Sequence, residues 1–369
     1  MNQLFRWDQT GLFLLALAAG ILPFAVPEVC AAALREGLAL CCGPLLLSLF
    51  PFLVVSRLLV QCPESDLLAL PFRLAAWGIG IRTPCAARVL CIGFLGGFAP
   101  AASAAAQAVR TGQLTAEEAD ALLPACICSG PSFVVLTVGQ SLLGSAELGV
   151  LLFASQITAN YLTAALLNRF AGVRSVKPGS AAPASPAPPR LDEILADAAI
   201  TYCKLCGFIL FFRMLAAGAG ALLPAGAGTL CSILLEVCSG CDLASRTGRW
   251  GSLLCCAALS VQGLSVLLQV RTICPPEMTL RPLYRSRLLH LPLSLALFYL
   301  LLPGGEADVF STLPARVLLM RRVPPDCALL VFAVCCMAAC TLRSGIRQVE
   351  QKQMARNAGG CCINSKTLL

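Results

Sequence analysis

The chain reads as an all-α, polytopic membrane protein with about eight transmembrane spans, two further re-entrant or broken helices and two inverted repeats. Three observations lead there. Of 369 residues, 58% are hydrophobic and 12% charged, against about 25% charged in ordinary globular domains, and mean hydropathy is +0.81. Too few polar side chains remain to cover a water-soluble surface. Apolar runs of span length recur along the chain, and a Pro/Ala/Ser stretch at 171–190 divides it into halves of similar plan. Disordered, fibrous and ordinary soluble enzyme classes are excluded by the same lack of polarity.

A span needs roughly 20 apolar residues to cross about 30 Å of hydrocarbon. Eight runs meet this: 11–30, 36–61, 124–144, 147–168, 196–223, 250–270, 287–303 and 324–342. The first is read as a retained span rather than a cleaved leader, because Pro23 and Pro27 fall late in a run already long enough to cross. The expected organisation is a first span (1–30), a first repeat (31–170), a cytoplasmic linker (171–190), a second repeat (191–303), a final loop and span (304–343) and a basic tail (344–369).

Net charge is +8. In a lipid-embedded chain that excess marks cytoplasmic loops rather than a nucleic-acid footprint. Arg73, Arg82 and Arg88, then Arg169, Arg174, Lys177 and Arg190, then Arg271, Arg281, Arg285 and Arg287, then Arg343, Arg347, Lys352 and Arg356 all share one face if both termini are cytoplasmic. Arg321 and Arg322 are the exception. Under this orientation the second and fifth runs cross in opposite directions, so the halves are inverted, as in many secondary transporters.

Residues 90–109 hold Gly93, Gly96, Gly97 and Pro100 in a stretch too broken for a straight span. Irregular backbone survives at membrane depth only where protein or a watery cavity satisfies it. A break exposes a helix N-terminus that favours an anion, with Ser103 and Gln107 one turn beyond it. The alternative is that Gly and Ala only permit close helix packing. Ser129-Gly130-Pro131 opens the next run. Between them, Thr115 and Glu118 form a capping-box pattern, read as a solvated turn and helix.

In the second half, Glu236 lies in LLEVCSGCDLAS with Ser239 and Gly240 close by. A carboxylate there is costly unless paired or hydrated. It has three open roles: binding a coupling proton or cation, capping a broken helix, or pairing with Arg213, Arg271 or Arg287. Gln262, Ser265 and Gln269 recur at helical spacing with Ser260, a polar stripe that either joins helices or lines a solute path.

The 22 cysteines lie mostly inside apolar runs and act as small fillers. Two C-x-x-C pairs, Cys203/Cys206 and Cys238/Cys241, sit in hydrophobic surroundings unlike those of structural zinc. His290 is the sole histidine, and neither a nucleophile elbow, a P-loop nor a zincin motif occurs. The expectation is a non-enzyme with no cofactor or metal.

Gly96-Gly97-Phe98 near Pro100, the T-x-E-E-A-D helix, Ser129 to Phe133, Glu236 before Ser239-Gly240, Gly263 to Val266 with Gln269, and Arg287 to His290 follow one another in a familiar order. In this order the chain resembles the YlbJ family of sporulation integral membrane proteins, with nucleoside-recognition or Gate-type repeats. Ser103 stands where that family usually has lysine. The resemblance implies a multi-pass protein of the outer forespore membrane that moves dipicolinic acid into the forespore. Its expected partners are then the bilayer and a small anionic solute, with no nucleic acid. Taken with the readings above, the expected pathway residues are Gly97, Pro100, Ser103, Gln107, Ser129, Gly130, Glu236, Ser239, Gly240, Gln262, Ser265, Gln269 and Arg287. A non-transporting scaffold for sporulation proteins and a nucleoside-type transporter are the alternatives.

Overall fold

The structure, a computed structural model, describes residues 9–61, 67–171 and 191–302. The last expected span, the linker from 172 onward and the basic tail lie outside these. Every regular element among the described residues is helical. They are α1 (Gln9–Ala25), α2 (Pro27–Cys42), α3 (Pro44–Gln61), α4 (Leu70–Gly78), α5 (Pro84–Gly96), α6 (Phe98–Arg110), α7 (Ala116–Cys126), a π-helix (Ser132–Leu142), α8 (Ala146–Ala171), α9 (Leu191–Leu222), α10 (Ala225–Leu235), α11 (Val237–Ser245), α12 (Gly251–Val261), α13 (Gly263–Ile273) and α14 (Arg281–Leu301).

Three stretches are long and apolar enough to cross a membrane: Ala146–Ala171, Leu191–Leu222 and Gly248–Ile273. α8, with 26 residues, is about 39 Å long at 1.5 Å per residue, which exceeds the hydrocarbon thickness. α1 and α2 qualify only as a pair bent by 109°. The first two expected spans, 11–30 and 36–61, are thus redistributed over three helices. Pro27 opens α2 and Pro44 opens α3 after Gly43, because proline lacks the N–H that a continuing helix needs and suits a first helical turn. The run 287–303 falls within α14, whose first turns carry Arg281, Arg285 and Arg287.

The distribution of polarity is that of a chain bathed in lipid. Phe24, Leu74, Phe170, Leu288 and Leu300 face outward, while Ser155, Asn160, Ser260, Ser286, His290 and Ser294 are fully buried. α6 lies at the centre. Its Ala99, Ala101, Ala102, Ala104, Ala105, Ala106 and Ala108 are all at most 1% exposed, and small side chains of this kind let neighbouring backbones approach. α3, α5, α7 and α13 surround it.

The polar segment before α7 differs from its sequence reading. Thr115 and Glu118 do form a reciprocal capping box, yet Glu118 and Asp120 are buried rather than solvated. Glu118 also accepts a 2.6 Å bond from Thr83 Oγ1. Asp120 reaches across the fold to the start of α14, accepting from Thr279 N, Thr279 Oγ1 and Leu280 N at 2.6–3.0 Å. Leu280 is left-handed, φ 56°, a conformation that a branched side chain adopts only when its surroundings impose it. The Asp120 carboxylate supplies that constraint and thereby aims α14. Asp120→Ala should cost about 2–4 kcal/mol, the range for charge-assisted bonds lost from a buried site, seen as a lower thermal midpoint of the detergent-purified protein. Asp120→Asn should recover part of it.

Candidate functional site

Two helical hairpins turn inside the fold, and each tip rests on a break in another helix. α5 and α6 fold back on each other at Gly97; α10 and α11 do the same at Glu236. The α7 run breaks over Ile127 to Gly130 before the π-helix, and the α12–α13 run breaks at Gln262. Gly97, φ 80°, presses on the first break: a Cβ there would meet Gly130 N at 2.7 Å. Gly263, φ 68°, presses on the second hairpin: its Cβ would meet Glu236 N at 2.9 Å. Only glycine combines that backbone with that clearance. The two breaks also meet each other, since Gln262 Nε2 donates to Ile127 O at 3.3 Å. Within the second hairpin, Gly240 lets α11 lie against the backbone of Ile233.

Glu236 takes the capping role of the three left open. Its carboxylate accepts from Cys238 N at 2.9 Å and from Ser239 N and Oγ at 2.7 and 2.9 Å, closing the N-terminus of α11 where the helix dipole favours negative charge. Arg213 pairs instead with Glu36, at 2.8 Å.

Arg287 is 8% exposed and bonds only to neutral groups: Ser286 Oγ at 3.3 Å, Ser260 O at 3.4 Å and Asn160 Oδ1 at 3.2 Å. Around it runs a polar seam joining α8, α12 and α14. Gln156 Nε2 donates to Cys256 O and Ser260 Oγ, Ser260 Oγ and Ser294 Oγ are 2.5 Å apart, and His290 Nε2 contacts Gln156 O at 3.2 Å. A carbonyl only accepts, so Nε2 carries the proton and Nδ1 faces the seam as an acceptor. Five buried atoms here and along α13 have no hydrogen-bond partner among the described residues: Asn160 Nδ2, Thr163 Oγ1, Gln262 Oε1, Gln269 Oε1 and His290 Nδ1. Buried polar groups are ordinarily paired, so these atoms retain unused donor and acceptor capacity.

The expected pathway residues divide accordingly. Gly97, Ser129, Gly130, Glu236, Ser239, Gly240 and Gln262 build the tips and breaks; Arg287 stands in the seam. Ser265 accepts from Gln269 Nε2 at 2.9 Å, one turn along α13. Pro100 is buried in the first turn of α6. Ser103 bonds elsewhere, accepting from Arg57 Nε at 3.4 Å, and Gln107 lies half-buried on α6 beyond it. Gln156, Asn160 and Thr163 escaped the sequence reading, although their i, i+4 and i+3 spacing in an otherwise apolar run is a polar stripe of the same kind as that of α13. No group of three His, Cys, Asp or Glu side chains able to hold a metal gathers among the described residues.

No protein family, characterised protein or solved structure matches the chain. The described residues define a helical protein with segments long and apolar enough to cross a membrane, two broken segments that meet each other and a buried polar seam.

Gly97→Ala and Gly263→Ala should each lower the thermal midpoint, by about 2 kcal/mol or more in stability, from the left-handed backbone plus the forced separation of tip and break. Gly226→Ala, with open space around its Cβ, should stay within about 0.5 kcal/mol.

Proposed function

We propose that the protein is a membrane transporter or channel for a small anionic solute, built from two inverted repeats whose broken segments meet at the binding chamber. The observation that carries this is Arg287. A cation at membrane depth costs roughly 3 kcal/mol or more even by the mildest scale, and a counter-ion ordinarily offsets that cost. Among the described residues Arg287 has only neutral partners, one of which, Asn160, keeps an unpartnered amide nitrogen. An anion entering this chamber meets a charge already desolvated, so the attraction is strong and the reorganisation small.

Support for the repeats comes from matching relations in the two halves. A hairpin tip leans on a helix break in each, at Gly97 with Gly130 and at Glu236 with Gly263. α6 packs on α13 as α11 packs on the π-helix, and α7 packs on α14 as α12 packs on α8. Pairs exchanged in this way are what a pseudo-twofold axis generates. In this reading the chain crosses about eight times with both termini in the cytoplasm, and the linker lies there too.

The likeness to YlbJ proteins supplies the solute within this proposal: dipicolinic acid, entering the forespore across its outer membrane. A planar dicarboxylate suits a guanidinium, which pairs with carboxylate through two parallel N–H donors.

The test replaces Arg287 in a sporulating host. Arg287→Gln should lower spore dipicolinate by about 10–100-fold, the equivalent of one lost charge-assisted contact, with the protein still present in the membrane fraction; Arg287→Lys should fall between. Normal dipicolinate in Arg287→Gln spores would sink the proposal.

A further inference from the structure

A second, separate cavity of about 140 Å³ lies where α3, α6, α9 and α13 meet, far larger than the roughly 15 Å³ one water needs. Its chemistry is distinct from that of the Arg287 seam. Arg57, Arg110 and Lys204 line it together with Asp197, Ser103, Thr201 and Thr272. Three cations and one carboxylate leave two positive charges in excess.

The four ionic groups are not equivalent. Arg57 is buried and uses three of its five N–H donors, donating to Asp197 Oδ2 at 2.6 Å, to Thr201 Oγ1 at 3.2 Å and to Ser103 Oγ at 3.4 Å. Its guanidinium is therefore held rigidly at the cavity floor. Arg110 and Lys204 are exposed at the rim and have neither ion pair nor hydrogen bond among the described residues. Asp197, with a side chain 61% exposed, shields Arg57 from one side only. The fixed guanidinium and the two free cations converge on a space that a compact anion fills, with hydroxyls at hand to accept or donate.

We infer that this cavity is a binding site for a small free dianion of the dicarboxylate class, in which Arg110 and Lys204 close over the ligand and Arg57 anchors it. Two negative charges match the excess, whereas a monoanion leaves one cation unpaired. The site needs no transport through Arg287, and its test is arranged to stand apart from that proposal.

The full-length protein carrying Arg287→Gln, purified in neutral detergent, removes the chamber as a competing site. Titration calorimetry with pyridine-2,6-dicarboxylate should give saturable binding that weakens with added salt. Adding Arg110→Gln and Lys204→Gln, both exposed, should weaken it by about tenfold or more, and pyridine-2-carboxylate should bind at least about tenfold more weakly than the dianion. In the wild-type protein, the dicarboxylate should slow acetylation of Lys204 by an amine reagent, read by mass spectrometry, so the result does not rest on one variant's folding. Unchanged affinity in the rim variant, equal affinity for the monoanion, or unprotected Lys204 would overturn the inference. So would the lipid outcome, in which the rim variant loses co-purifying phosphatidylglycerol and no dicarboxylate binds in phosphatidylcholine nanodiscs. Binding that survives Arg287→Gln while spore dipicolinate stays normal leaves this site standing and removes the chamber; the converse leaves the chamber alone.

Discussion

Backbone that leaves the helix at membrane depth has no water to turn to, and the structure is arranged around that constraint. Each interruption frees N–H and C=O groups costing several kcal/mol apiece if left in hydrocarbon. Here the interruptions lie against one another. Gly97 lies on Gly130 and Gly263 on Glu236, Gln262 reaches the carbonyl of Ile127, and the Glu236 carboxylate closes the exposed end of α11. The alanine-lined α6 allows this by bringing backbone close to backbone on all sides. Once the breaks must be mutually satisfied they must also be adjacent, and adjacency creates a polar interior in a chain that is otherwise apolar.

That interior explains why so polar a set of side chains sits on helices that otherwise resemble lipid. Gln156, Ser260, Ser294 and His290 are linked in a seam that Asn160 joins through Arg287. Arg287 enters the seam without a carboxylate of its own. Glu236, the nearest sequence candidate for that role, is committed to the α11 cap with both oxygens. Its carboxylate is held by the two amides and the hydroxyl that close α11, so the role left open by the sequence is settled by the helix break rather than by an arginine.

The elements most visible in the sequence were those set by local chemistry. The capping box at Thr115 and Glu118, the glycine-broken stretch at 90–109 and the long apolar runs of α8 and α9 all follow from spacing or composition. What escaped depends on partners far away in the chain. Glu118 and Asp120 look like surface carboxylates because their neighbours are polar, yet Asp120 is consumed by amides about 160 residues later. The first two expected spans became three helices because Pro27 and Pro44 start new elements where hydropathy alone sees continuity. Gln156 and Asn160 hid in an apolar run because two polar residues hardly alter its average, and only their pairing with α12 and α14 makes them a site.

The basic cavity and the central breaks are joined by the same two helices, and this bears on how a solute would travel. α6 runs from the Gly97 tip to Arg110 at the cavity rim. α13 runs from the Gln262 break to Thr272 in the cavity wall, and the two helices pack together. Eleven residues in α13 span about 16 Å, so the cavity and the breaks lie within half a membrane of each other. Ser265 and Gln269 occupy that interval on α13. In the proposed transport cycle, an anion held first by the exposed cations of the cavity and then by the desolvated guanidinium of Arg287 would pass from a weak site to a strong one. In the transport proposal, passage between the two sites requires the helices bearing them to shift, since α6 and α13 pack together. Under that proposal, the α6–α13 contact is the place where a conformational change would act.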